Sequence, residues 1–174
     1  MLVLVLGGSG SGKSEFAENL LVRPEYKNRI YIATMVVRDE EGRAKAQRHR
    51  DLRAHKNFVT VEATDNLNDT ILPQDSVVLL EDLSNLSANE FFSKKKKANI
   101  HKHIMDGIEH IQSMSQLLVI VSNDLFTDGI TYDLFTNEYL DLLSALNLAI
   151  AQKADAVYEL VCGIPTLWKG EPLA

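Results

Sequence analysis

The sequence has a single cysteine, Cys162. No intramolecular disulfide and no cluster of thiolate metal ligands is therefore expected, which fits a reducing, cytoplasmic setting. No apolar run approaches the ~20 residues that a membrane-spanning helix requires. The apolar start breaks into glycines after Leu6, without a basic leader or a cleavage site, so it does not read as a signal peptide. Excess positive charge is also missing. A net charge of −6 argues against a general nucleic-acid surface, which needs a basic footprint. The one lysine run, Lys94 to Lys97, has no interleaved aromatics on which bases would stack and reads as a solvated loop. No internal repeat is evident. What remains is 174 residues, 45% of them hydrophobic, enough for the core of one domain spanning residues 1–174.

The chain opens with its most informative stretch, MLVLVLGGSGSGKS. Leu2 to Leu6 is a short continuous apolar run, as expected of a strand covered on both faces. Gly7, Gly8, Gly10 and Gly12, with Ser9 and Ser11 between them, let the backbone approach a phosphate closely with its N–H groups turned inward. The residues after Ser14 have helix-forming composition and an apolar face, so a helix N-terminus would also point at the anion. Lys13 adds a point charge for the β- and γ-phosphates, and the Ser14 hydroxyl is placed to coordinate Mg²⁺. The spacing of Gly7, four residues, then Gly12-Lys13-Ser14 is that of a P-loop. A merely flexible Gly/Ser turn predicts neither the strand before it nor the helix after it.

Further strands are expected at Arg29 to Thr34, Phe58 to Val61 as an edge, Ser76 to Leu80, Leu117 to Val121 and Ala156 to Val161. Helices are expected at Asp39 to Lys56 with a thin buried face, Asp65 to Leu72 before Pro73, Ile100 to Met114, and Tyr132 to Gln152. In the last of these, Phe135, Tyr139, Leu142, Leu143, Leu146 and Ile150 recur at helical spacing. The stretch after Asp82 has no clear pattern and reads as a connection, and Gly163 to Gly170 reads as a tail. Alternating strands and helices imply an α/β fold of P-loop NTPase type, a mostly parallel sheet with helices on both faces. Ligands bind such sheets beyond the carboxyl ends of the strands, where the P-loop, Thr34, Glu81 and Ser122-Asn123 would gather.

Two groups of residues bear on chemistry. Glu81 and Asp82 end a buried strand, where a P-loop enzyme holds Mg²⁺ directly or through water. Between Arg43 and Lys56 an acidic chain concentrates Arg43, Lys45, Arg48, Arg50, Arg53 and Lys56 around His49. On a helix Lys45, His49 and Arg53 share a face. Such a face suits a triphosphate, with His49 as nucleophile or general base, although composition alone favours a solvated basic helix with an incidental histidine. His101, His103 and His110 fall on a surface helix and receive no role. Asp124 and Asp128, with Gly129, would close over a substrate or form a turn.

Taken together, these motifs resemble the bifunctional adenosylcobinamide kinase / adenosylcobinamide-phosphate guanylyltransferase family of cobalamin biosynthesis, over most of the chain. LVLGGSGSGKSEFAE resembles that family's strand and P-loop, YIAT its second strand, and DEEGRAKAQRHRDLR, Asp39 to Arg53, its guanylylation segment. The resemblance implies that His49 becomes attached to GMP and acts with Lys13 as a catalytic residue. It implies nucleotide contacts for the loop Gly7 to Ser14 and for Ala33, Thr34, Met35, Arg50, Asp51, Leu52, Arg53, Glu62 and Glu81, with Ser14 and Glu81 on the metal. Asn89, Asn123, Gly129, Asp141, Asn147 and the CGIP tail also fall on family positions. The implied substrates are ATP, GTP and adenosylcobinamide, the implied metal is Mg²⁺, and the implied assembly is a homotrimer. The chain departs from the family pattern at Lys45 and Asp124, and LFTNEYL before Asp141 lacks the family's arginine. A P-loop kinase for another small alcohol, and a nucleotide-binding regulatory module without catalysis, are the alternatives that these departures keep open.

Overall fold

In the computed structural model, residues 1–37, 39–93, 99–126 and 129–173 are described, and for Glu41, Lys45, Ala46, His49, Arg50 and Leu52 the backbone alone. The chain runs β1 (Leu2–Gly7), α1 (Lys13–Leu21), β2 (Asn28–Ala33), α2 (Glu40–Arg53), β3 (Phe58–Glu62), β4 (Ser76–Glu81), α3 (Leu83–Phe91), α4 (Ile100–Met114), β5 (Ser115–Val121), α5 (Leu134–Lys153), β6 (Ala156–Val161) and β7 (Ile164–Lys169). The strands form one sheet in the order β3-β2-β4-β5-β1-β6-β7. All neighbours are parallel except β7, which runs antiparallel to β6.

The unbroken apolar runs of β1, β4 and β5 follow from burial on both faces. Leu2 and Leu4 of β1 join Leu118 and Ile120 of β5 in a core closed by α3, α4 and α5. Val3 and Val5, Leu79 and Val119 point the other way and are covered by Ala17, Leu20 and Leu21 of α1. Truncating a fully buried leucine such as Leu79 to alanine would cost about 2–5 kcal/mol. Helix α2 has little apolar surface to bury, and its N-terminus is set by Asp39, whose carboxylate accepts from Gly42 N at 2.7 Å.

Three expectations are corrected. Between Asp65 and Leu72 there is a single 3-10 turn, Leu67–Asp69, because Asn66 sits at φ 42 and interrupts the helical path. The stretch after Asp82 is a helix, α3, capped by Asp82, whose carboxylate accepts from Asn85 N at 2.6 Å. Ser84, Ser87 and Glu90 share its buried face with Leu83 and Leu86, so the apolar period is hidden. The tail is strand β7, whose exposed residues give no alternation to read. Lys94 to Lys97 and Asp128 lie outside the described residues. No helix among the described residues is long and apolar enough to cross a membrane.

Candidate active site

The loop between β1 and α1 is shaped by close backbone approaches. A Cβ on Gly7 would stand 2.5 Å from Leu160 O, so no other residue fits there without displacing β6. Gly12, at φ 91, turns the chain into α1. Gly163, in the β6–β7 turn, donates its N–H to Ser11 O at 2.9 Å and braces the loop from behind. Within the loop, Gly8 O accepts from Lys13 Nζ at 2.6 Å and from Ser11 N at 3.3 Å. Lys13 is only 6% exposed. Burial lowers its proton affinity below that of an ordinary lysine, against the opposing pull of Glu81 and Asp82.

Helix α1 crosses β1, β5 and β4, which carries Ser14 to the end of β4. There Ser14 Oγ donates to Glu81 Oε1 at 2.6 Å. The other carboxylate oxygen, Glu81 Oε2, is sealed from solvent and has no hydrogen-bond partner among the described residues. Burial pushes the Glu81 carboxyl up to about 7; the Ser14 bond and Lys13 pull it down, and the negative charges of Asp82 and Glu18 push it further up. A sealed carboxylate oxygen without a partner, beside a hydroxyl, is a donor set that suits Mg²⁺, which takes its remaining ligands from phosphate and water.

These groups open onto one cavity of about 860 Å³. Of the residues expected at the site, it brings together Ser9, Gly10, Lys13, Ser14, Ala33, Met35, Arg43, Arg53, Glu62, Glu81, Asp82 and Asn123. A recess of about 290 Å³ beside it is walled by Gly10, Ser11, Gly12, Lys13 and Ser14. Gly7 is buried beneath the loop and Gly8 is exposed on it. Asp51 is exposed and accepts from Gln47 Nε2 at 2.8 Å. Thr34 is fully buried and does not line the cavity. Its hydroxyl lies 2.9 Å from Glu81 O and 2.8 Å from Asp82 O, and accepts from Asp82 N at 2.7 Å. The side chains of His49, Arg50 and Leu52 lie outside the described residues. Asp141 is exposed on α5 and Asn147 is buried there, both away from the cavity lining.

Arg53 is placed by contacts that the sequence does not announce. Its guanidinium lies 3.5 Å from the centroid of the Tyr31 ring, a cation–π stack, and its Nη1 has no hydrogen-bond partner among the described residues. Tyr31 rests edge-on against Phe58, and burial raises its phenol well above the ordinary tyrosine value. The chain just beyond Arg53 is fixed as well. Lys56 Nζ meets Glu18 Oε2 at 2.7 Å, and Arg29 donates to Lys56 O at 3.1 Å. Asn89 Nδ2 donates at 2.8 Å to both Thr34 O and Thr64 O, tying together the loops that follow β2 and β3. Tyr31 and Asn85, which the sequence did not single out for the site, also line the cavity. Strand alternation offered a signal for Tyr31, two residues before Ala33 on the same face of β2.

Comparison with known proteins adds to this geometry. The family model described as "Cobinamide kinase / cobinamide phosphate guanyltransferase" matches residues 3–167. The bifunctional adenosylcobalamin biosynthesis protein CobU of Salmonella typhimurium is 29% identical over 180 residues, covering 94% of this chain and 97% of its own. The corresponding protein CobP of Pseudomonas aeruginosa is 27% identical over 172 residues, covering 98% of each chain. Among solved structures, the flagellar accessory protein FlaH of Methanocaldococcus jannaschii superposes with a TM-score of 0.56 at 12% identity, covering 98% of this chain and 78% of its own. The KaiC-like protein PH0186 of Pyrococcus horikoshii gives 0.50 at 12% identity, with 91% and 71% covered. At that identity these two speak to the fold alone.

Proposed function

The chain belongs to the cobinamide kinase / cobinamide phosphate guanyltransferase family, and from that premise we propose that it phosphorylates adenosylcobinamide and then transfers GMP to the product, giving adenosylcobinamide-GDP. The observation that carries the reading is the convergence of Lys13, Ser14 and Glu81 with Arg43, Arg53 and Glu62 on a single cavity, in a chain that the family model matches over residues 3–167.

In the kinase step the hydroxyl of the aminopropanol arm attacks the γ-phosphate of ATP or GTP. The loop amides and Lys13, released from Gly8 O, hold the phosphates, and the protein supplies position and charge rather than covalent chemistry. Ser14 and Glu81 would hold Mg²⁺, which neutralises phosphate charge when bound. In the transferase step the His49 imidazole attacks the α-phosphate of GTP and pyrophosphate leaves. The GMP held on nitrogen then passes to adenosylcobinamide phosphate. A covalent intermediate divides one difficult displacement into two. Arg53 is suited to the developing charge because its guanidinium is already oriented by Tyr31 and lines the cavity. Glu62, at the cavity wall, has the acceptor chemistry for the N–H edge of a guanine. Trimeric assembly belongs to the same proposal.

The test is cobinamide phosphorylation by the purified protein with Mg²⁺ and ATP or GTP, followed by chromatography of the corrinoid. Turnover that disappears in Lys13→Ala supports the reading. Tight nucleotide binding with no corrinoid product in the wild type sinks it and leaves a nucleotide-binding protein without this activity.

A further inference from the structure

We propose that Asn123 positions the attacking hydroxyl in the phosphoryl-transfer step, through a side-chain carbonyl held toward the cavity by Asp82 and Ser84. The inference rests on the kinase step proposed above. Ser122 N donates to Val5 O at 2.9 Å and Asp124 N to Gly7 O at 3.0 Å, so the backbone on either side of Asn123 is pinned to the P-loop strand. Strand β5 lies between β1 and β4, between the phosphate loop and Glu81. Asn123 lines the same cavity as Lys13, Ser14 and Glu81.

The orientation of its amide follows from the partners. Asn123 Nδ2 donates to Asp82 Oδ2 at 3.1 Å and to Ser84 Oγ at 2.6 Å. An ionised carboxylate only accepts hydrogen bonds, so the atom facing Asp82 is the NH₂ group rather than the carbonyl oxygen. Ser84 Oγ gives its own proton to Asp82 Oδ1 at 2.7 Å and meets the amide with a lone pair. Both amide hydrogens are then engaged, and Oδ1 is left as an acceptor with no protein partner among the described residues. The support continues outward, since Ser84 O accepts from Tyr139 Oη at 2.9 Å. Asp82 is largely taken up by this network and keeps one lone pair, on Oδ2. Its Oδ1 accepts from both Ser84 Oγ and Asn85 N, and its Oδ2 accepts from Asn123.

A neutral acceptor suits this reaction. The hydroxyl oxygen bonds to the γ-phosphorus, the bridging oxygen leaves with the nucleoside diphosphate, and the hydroxyl proton is lost to solvent. In a loose transition state that proton departs late, so alignment matters more than basicity. Asn123 Oδ1 accepts from the hydroxyl and aims its lone pair at phosphorus.

The experiment compares wild type, Asn123→Ala, Ser84→Ala and the double variant, measuring kcat and KM for cobinamide, nucleotide Kd by fluorescence titration, and thermal midpoint. Loss of alignment should lower kcat roughly 10- to 100-fold in Asn123→Ala. KM and nucleotide Kd should stay within about threefold. Ser84→Ala should lose less, and the double variant should be no slower than Asn123→Ala alone, because the serine acts through the asparagine. Unchanged kcat in Asn123→Ala, or a loss that appears as weaker nucleotide binding with a lowered midpoint, overturns the inference. A wild type that binds nucleotide but never phosphorylates cobinamide overturns the underlying reading and the inference with it.

Discussion

Replacing Glu81 by glutamine changes the charge of the site while leaving every P-loop residue in place. In the folded, ligand-free protein the Glu81 carboxyl is raised from 4.5 to about 7, chiefly by burial. In the unfolded chain it returns to an ordinary carboxylate value. Below that ordinary value both states hold the proton, and well above 7 neither does. Between them the folded state holds a proton that the unfolded state has released, so stability falls as pH rises through the interval. At about 1.36 kcal/mol per pH unit, the interval amounts to a loss of about 3 kcal/mol between pH 4.5 and 7. Glutamine keeps an acceptor for Ser14 Oγ and has no charge to bury. Urea unfolding of wild type and Glu81→Gln, in EDTA and without nucleotide, should show the variant gaining about 3 kcal/mol relative to wild type between pH 5 and pH 8. Parallel stability curves for the two proteins would mean that Glu81 titrates alike in the folded and unfolded states, contrary to its burial.

Other perturbations test the supports around the site. Tyr31→Leu removes the ring under Arg53, and nucleotide Kd should rise about 3- to 30-fold, the equivalent of a cation–π contact. Tyr31→Phe should keep wild-type affinity, and identical behaviour of the two in a binding titration would contradict the stack. Thr34→Val leaves Asp82 N without its acceptor, at a cost of about 1–3 kcal/mol. For a chain of this size that lowers the melting temperature by roughly 2–12 °C in calorimetry. Gly7→Ala forces a methyl against Leu160 O and should cost about 1–3 kcal/mol in urea unfolding; an undisturbed midpoint would mean that β6 yields there.

The elements legible in the sequence are those whose burial is uniform. Strands β1, β4 and β5 are covered on both faces, so their apolar runs stand out, and α4 shows a clean apolar stripe. Helix α3 was hidden because serines and Glu90 occupy its buried face. That choice has a physical basis: Glu90 accepts from Asn66 N at 2.7 Å, so the helix holds a loop with polar groups where another would pack a core. Strand β7 was hidden because an exposed edge imposes no alternation. At the site, the P-loop is local and carries its own spacing, so Lys13 and Ser14 were legible, and Glu81 followed from the end of a buried strand. The Tyr31–Arg53 stack and the Asp82–Ser84–Asn123 network join residues from different elements. Their meeting depends on strand order, which spacing along the chain does not encode.

If one chain both phosphorylates the corrinoid and carries GMP to it, His49 must hold the nucleotide covalently. The purified protein is incubated with Mg²⁺ and GTP labelled at the α-phosphate and run on a denaturing gel. Label should remain on the protein, stable to base, labile to acid and absent from His49→Ala. Tight GTP binding with no label retained by the wild-type chain would contradict covalent attachment at His49.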